Sequence, residues 1–337
     1  MASPHTVHAG TRAGRLGALL GAATLLGLLS VPFWAGRADM RLIVEMACFL
    51  ALAQMWNLMA GYAGLVSIGQ QAYVGIGGYA LFALAMHGGV PPLLALPLAG
   101  LIAALVAVPT AFVVFRLRGA YFAIGTWVVA EVFRLSLAQV TALGGGTGQS
   151  LPAAIVRAIA ASAEGRDRLI YFTGIALAVG ATALVFLLLR SRHGLALTAL
   201  RDAEGAAESL GVDSFRTRLW VYIVAALGTG MIGALIFLQK LRISPDAAFS
   251  VGDWTANVIF IVVIGGIGRI EGPIVGTLVF FALRALLADY GTWYMIVLGA
   301  VAVVVMLKAP QGLWGLVADR FDLDFFPVRR LVRGPTP

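Results

Sequence analysis

From Met46 to Phe115 the chain runs 70 residues without a single Asp, Glu, Lys or Arg. A helix crossing the hydrocarbon layer of a bilayer needs about 20 predominantly apolar residues. This run alone therefore holds three crossings. A soluble domain cannot cover so much apolar surface, and the whole chain, 60% apolar and 12% charged, points the same way. The runs do not alternate polar and apolar residues, which excludes the strands of a membrane barrel. Glycine is abundant, at 41 residues, which suits helices that approach closely in lipid. The expected fold class is all-α, a polytopic membrane helical bundle.

About ten transmembrane helices are expected, near 16–34, 40–60, 65–86, 92–115, 120–140, 169–189, 219–239, 254–268, 272–288 and 291–307. The eighth and ninth are short and interrupted by glycine, so a count of eight or nine stays open. Residues 1–337 read as a single transmembrane domain, with an N-terminal segment 1–15, spans over 16–307 and a tail over 308–337. In that tail Trp314, Phe321, Phe325 and Phe326 mix with Asp and Arg, as on a membrane interface. The first apolar run follows Arg12 and Arg15 and has no clean Ala-x-Ala site after it, so it is expected to stay as a span.

The net charge of +8 does not mark a nucleic-acid binder, because the basic residues sit in short loops between spans. They orient the chain instead. With the N-terminus inside, 15 Lys and Arg fall on the cytoplasmic side and seven outside, while Arg134 and Arg284 lie within spans. Both ends and the loop 190–218 are then cytoplasmic, and the loop 141–167 is external.

The 190–218 loop is the most charged interior stretch, with nine of its 29 residues ionised. Leu197, Leu200, Ala203, Ala207 and Leu210 recur at helical spacing. Arg201, Asp202, Glu204 and Glu208 occupy the other faces, and Gly211 is a stop signal. The pattern predicts one short amphipathic helix. It is either a solvated linker or a docking helix for a soluble subunit.

Between 61 and 78 lie Gly61, Gly64, Gly69, Gly75, Gly77 and Gly78. Asn57, Ser67, Gln70, Gln71 and Tyr73 place uncharged donors and acceptors beside them. A broken helix persists in a membrane only where protein or a wet cavity satisfies its freed backbone. The stretch is thus a candidate translocation pathway, or else a close packing contact with a tight turn. A similar cluster over 265–276 hints at an internal repeat. Glu131 and Arg134 share one face of an apolar span. They are either a structural ion pair or a contact for substrate or protons. Glu45 is expected at a span end, and Ala226, Gly230 and Ala234 form a small-residue packing face.

Several chemistries are absent. The glycine turn 144–148 lacks the Gly-Lys-Ser/Thr of a phosphate cradle, and neither lysine, Lys240 or Lys308, follows a glycine. His5, His8, His87, His193 and the single Cys48 have no metal-ligand spacing. No nucleophile–base motif is present.

The stretch Glu204-Gly205-Ala206-Ala207-Glu208-Ser209-Leu210-Gly211 resembles the cytoplasmic loop of ABC importer permeases, whose pattern is Glu-Ala-Ala-x-x-x-Gly. Gly205 occupies the Glu slot, a departure usual in the permeases of branched-chain amino acid importers, the LivM type. Four further pieces are similar to that branch: Asn57 to Gly69, Arg118 to Ile124, Ile264 to Gly268 and Pro310 to Leu313. Together they cover about residues 40–315. Two positions depart from it. Gln70 stands where the branch commonly has His, and Arg269-Ile270-Glu271 replaces a more neutral turn.

The resemblance implies the membrane permease subunit of an ATP-driven importer, moving branched-chain amino acids inward by alternating access. Urea, short amides or other small carboxylates are the alternative cargo. It implies no enzymatic site and no cofactor on this chain. ATP and Mg would sit on two separate ABC ATPase subunits, docked on Arg201, Asp202, Glu204, Gly205, Ala206, Ala207 and Gly211. A second homologous permease chain and a periplasmic or lipid-anchored binding protein are the other expected partners, in a bacterial inner membrane. An ion-coupled secondary transporter using Glu131 and Arg134 is the alternative of another class.

Overall fold

In lipid a backbone must satisfy its own N–H and C=O groups, so the long apolar runs become helices. The computed structural model describes residues 6–8, 12–160, 162–287, 293–321, 323, 325, 326 and 331–333. Its helices are α1 (Arg12–Ser30), α2 (Arg37–Asn57), α3 (Gln71–Met86), α4 (Pro92–Val114), α5 (Ala120–Ala138), α6 (Ala153–Ile159), α7 (Ala163–Arg190) and α8 (Arg192–Asp202). There follow α9 (Glu204–Ser209), α10 (Ser214–Lys240), α11 (Pro245–Ala248), α12 (Asn257–Gly265), α13 (Glu271–Leu287), α14 (Trp293–Lys308) and α15 (Gly312–Phe321). Four short strands, β1 (Thr6–His8), β2 (Gln149–Ser150), β3 (Arg242–Ile243) and β4 (Leu331–Arg333), pair antiparallel as β1 with β4 and β2 with β3.

Among the described residues, eight helical stretches are long and apolar enough to cross a membrane. α3 is shorter, and its 16 residues rise only about 24 Å. The span expected over 65–86 therefore begins differently. α2 ends in one wide π-helical turn, Leu58–Tyr62, and residues 63–70 are not helical at all. α7 begins at Ala163, ahead of the expected 169, because Ser162 caps it. The Ser162 hydroxyl accepts from the Gly165 N–H at 3.0 Å, and Glu164 lies in the first turn.

α2 and α10 are the most buried spans, and α1, α5 and the α14–α15 stretch the least. α3, α4 and α10 pack through small residues, because the attraction between helices in lipid comes from close packing. Ala226, Gly230 and Ala234 are buried, as their spacing predicts. A methyl group on Gly77 of α3 would collide with the Gly230 carbonyl, and one on Gly230 with Ala103 of α4.

The loop 141–167 is not a free loop. It contains α6, and β2 pins it to β3 in the connection that follows α10. Gly144 and Gly148 make its turn with φ of 87° and 74°, backbone that side-chain-bearing residues avoid. Several ionisable residues in and near the spans are paired. Asp167, buried at the start of α7, accepts from Arg37 Nε at 2.7 Å and from Arg41 at 3.4 Å. Glu45 stands 2.6 Å from Arg284.

Candidate functional site

The non-helical stretch 63–70 leaves a run of backbone groups without helical partners, and the predicted polar residues supply several of the replacements. Trp56 Nε1 donates to the Ser67 carbonyl at 2.8 Å. The Ser67 hydroxyl accepts from the Gly69 N–H at 3.1 Å. Thr126 of α5 accepts from the Ile68 N–H at 3.1 Å. Gln70 Nε2 donates to the Leu52 carbonyl at 3.0 Å and to the Thr229 hydroxyl at 3.3 Å. Gln71 is held through Thr255, which accepts from its N–H and donates to its side-chain oxygen. Tyr73 donates to the Tyr222 hydroxyl at 2.8 Å. Ser67, Gln70, Gln71, Tyr73 and Asn57 are all buried. They bond the broken segment to its neighbours and do not line the cleft beside α8 described below.

Asn57 acts at a second break. Its Nδ2 donates to the Arg269 carbonyl at 2.9 Å, and its Oδ1 accepts from the Gly268 N–H at 2.8 Å. Gln54, one turn earlier, donates to the Ile270 carbonyl at 2.8 Å. Gly266 and Gly268, between α12 and α13, have φ of 132° and 76°. The two glycine clusters of the sequence are therefore two chain breaks that touch. A methyl group on Gly61 would lie 2.6 Å from the Gly268 nitrogen. Arg201 of α8 sits over this contact and donates to the Gly61 carbonyl at 3.3 Å.

The predicted amphipathic helix is two helices. Ala203 is extended, with φ −159° and ψ 90°, and separates α8 from α9. Leu197, Leu200 and Ala207 are buried as the stripe predicts, but Ala203 and Leu210 are exposed. The break turns α9 away from the α8 axis and leaves Leu210 85% accessible. Glu204 starts α9 and is fastened to α10, accepting from the Ser214 hydroxyl at 2.8 Å and from Arg218 at 2.5 Å. Those hydrogen bonds, from Arg218 first and then Ser214, hold its carboxyl below the usual carboxylate range. Gly211, with φ of 87°, closes the turn after α9. Gly205, Ala206 and Glu208 are exposed on α9, and the Asp202 side chain lies outside the described residues.

A cleft of about 1070 Å³ opens beside α8, bounded by Arg190, Arg201, Arg269, Glu271, Gln311 and Trp314. The charged turn Arg269-Ile270-Glu271 fastens the end of the chain here. Arg269 binds Asp319 of α15 at 2.7 Å, and Glu271 accepts from the Phe325 and Phe326 N–H groups at 3.0 Å. Sequence reading missed this, because the partners lie about 50 residues further on.

Glu131 and Arg134 do pair, at 2.6 Å, and Arg134 also reaches Asp246 of α11 at 2.5 Å. Asp246 had no sequence signal. The Glu131 side chain stays 44% exposed on α5. Among the described residues, no group of three His, Cys, Asp or Glu residues is arranged to hold a metal.

Membrane-length helices, two touching chain breaks, and an exposed helical loop bonded to one of them define a polytopic helical membrane protein. Residues 40–306 match the family described as "Branched-chain amino acid transport system / permease component", and the chain belongs to that family. It is 29% identical over 323 residues to the "High-affinity branched-chain amino acid transport system permease protein LivM" of Salmonella typhimurium, covering 89% of this chain and 76% of that protein. The protein of the same name from Escherichia coli K12 is similar to the same extent. A shorter likeness, 24% over 143 residues, joins it to the "Probable branched-chain amino acid transport permease protein LivH" of Methanocaldococcus jannaschii, covering 40% of this chain and 44% of that one. No solved structure matches.

Proposed function

We propose that this chain is the permease subunit of an ATP-driven importer of branched-chain amino acids. The observation that carries the reading is the Arg201–Gly61 hydrogen bond, which ties an exposed helical loop to a broken span. The likeness to two LivM proteins supports the cargo. In this scheme two ABC ATPase subunits, carrying ATP and Mg, dock on the exposed face of α9 around Gly205, Ala206 and Leu210. Their closure pulls α8, and Arg201 passes the displacement to the breaks at Gly61 and Gly268. The segment 63–70, with Ser67, Gln70 and Gln71, then rearranges to open the pathway. A second homologous permease chain completes the core, and an external binding protein delivers the cargo.

The reading is tested by co-purifying the tagged chain with its natural partners and reconstituting the complex in proteoliposomes. Leucine uptake that needs ATP and both the ATPase and binding-protein subunits is expected. Uptake persisting in the ATPase-free membrane core would overturn it in favour of ion coupling.

The same scheme places the loop 190–218 and both chain ends in the cytoplasm, facing away from 141–167, in a bacterial inner membrane. The basic asymmetry of the loops supports this orientation. Ser209 and Ser150 are exposed, and the native Cys48 is buried. Single cysteines at these two serines, in a Cys48→Ala background, are expected to react with an impermeant maleimide from opposite faces of sealed vesicles. Reaction from one face would refute the topology.

A further inference from the structure

α5 is held to the bundle by one narrow stripe. Phe122, Thr126 and Ala130 are its buried residues, while Ile124, Val128, Val132 and Leu135 on the other side are exposed. That outward side also carries charge. Glu131 stands just past the middle of α5, and its side chain is 44% exposed. Its partner Arg134 reaches on to Asp246, which is more exposed still.

Beside α5 the chain is broken. Ile68 is bonded to Thr126 in the second turn of α5, and Ser67 to Trp56 inside α2. The break 63–70 therefore lies within the depth of the spans, not beyond their ends. Gly64 and Val66 of this break are exposed. Thr255, which holds Gln71, belongs to another irregular turn, the π-helical Val251–Ala256. This turn lies near the middle of the span Pro245–Gly265, and Gly252, Asp253 and Ala256 are exposed on it.

Lipid cannot cover this side. Non-helical backbone at membrane depth persists only where protein covers it or water reaches it. Ionised residues within spans face protein or a wet cavity for the same reason, and Glu131 and Asp253 both stand near mid-span. Water held there needs a far wall of protein. Because Gly64, Val66, Glu131 and Asp253 are accessible, that wall is not among the described residues. By contrast, α1 carries no ionised residue from Leu16 to Ser30, and its exposed leucines suit lipid.

We infer that the side formed by α5, the break 63–70 and the turn Val251–Ala256 is where the second permease chain docks. The inference rests on the two-permease core proposed above and adds to it the surface that holds the partner. Val128 and Val132 meet the partner directly. Glu131 and Asp253 face polar groups or water enclosed between the two chains.

The test uses the complex purified with its natural partners, carrying photoreactive p-benzoylphenylalanine in place of Val132, Val66 or Leu19. Leu19, 70% exposed on α1, is the lipid-facing control. Subunit composition is read by mass before irradiation, and adducts by mass afterwards. Adducts with the second permease chain are expected from Val132 and Val66 and not from Leu19. Val128, one turn earlier on α5, replaces Val132 where that variant fails to assemble. A complex that holds the second chain but yields no adduct with it from Val132, Val128 or Val66 would overturn the inference and leave the two-permease core in place. Val132 adducts formed only with lipid, or with another copy of this chain, would overturn it equally. A purified, ATP-hydrolysing complex with no second kind of permease chain would instead overturn the core reading, and the inference would fall with it.

Discussion

Arg201→Ala is expected to cut ATP-driven uptake about tenfold or more while ATP hydrolysis continues, because a hydrogen bond from a charged donor contributes about 1.5–3 kcal/mol. The argument is mechanical. Arg201 lies in the last turn of α8, and its guanidinium lies against the contact between Gly61 and Gly268. α9 and α10 are already tied together by Glu204, Ser214 and Arg218. The arginine is therefore a direct link from α8 to the breaks. Coupling between two sites requires an element that both of them bias, and here it is the contact between the breaks. Losing the guanidinium frees α8 to move without carrying Gly61 along. A lysine keeps the charge but not the planar donor fork, so Arg201→Lys is expected to fall between wild type and alanine. Uptake and ATP hydrolysis measured on the same proteoliposomes decide the matter. Normal uptake by Arg201→Ala would remove the arginine from the coupling path. Loss of both activities together would mean that it acts in assembly.

Asn57→Leu is expected to destabilise the membrane core by about 2–4 kcal/mol, taking 1–2 kcal/mol for each interhelical hydrogen bond. Both ends of the Asn57 amide are in use, one on the Gly268 N–H and one on the Arg269 carbonyl. Leucine has nearly the same volume, so little of the loss comes from packing. What remains is one backbone donor and one acceptor, on Gly268 and Arg269, that have lost their side-chain partners at a part-buried site. Asn57→Asp separates the two ends. Its carboxylate still accepts from Gly268 but faces the Arg269 carbonyl with a second acceptor. It is therefore expected to be destabilised as well, and to recover in part at low pH, where the protonated acid can donate. Thermal unfolding of the detergent-solubilised core gives the measurement. An unchanged melting temperature in Asn57→Leu would show that the two breaks do not depend on this side chain.

The properties that the sequence alone determined are those with short range. The uncharged run from Met46 to Phe115 sets helices because lipid offers the backbone no partner. The Glu131–Arg134 pair follows from their spacing on one helix face, and the turn at Gly211 from a residue free to take positive φ. The six glycines between 61 and 78 mark an interrupted span, and the chain is interrupted there.

The tertiary structure decided where these pieces meet. Helical periodicity drew one stripe through Leu197, Ala203 and Leu210. The hold of Ser214 and Arg218 on Glu204 accompanies an extended Ala203 and turns the second half outward. The residues suited to line a pathway are instead buried and bonded to backbone, because a broken helix takes its missing partners from the nearest side chains. Arg201 finds Gly61 across 140 residues, Asn57 finds Gly268 across 211, and Arg134 finds Asp246 across 112. No periodicity or local spacing encodes such pairs. They follow from which helices pack side by side, and that is settled by the fit of small-residue faces such as Gly77 on Gly230, a property of the assembled bundle.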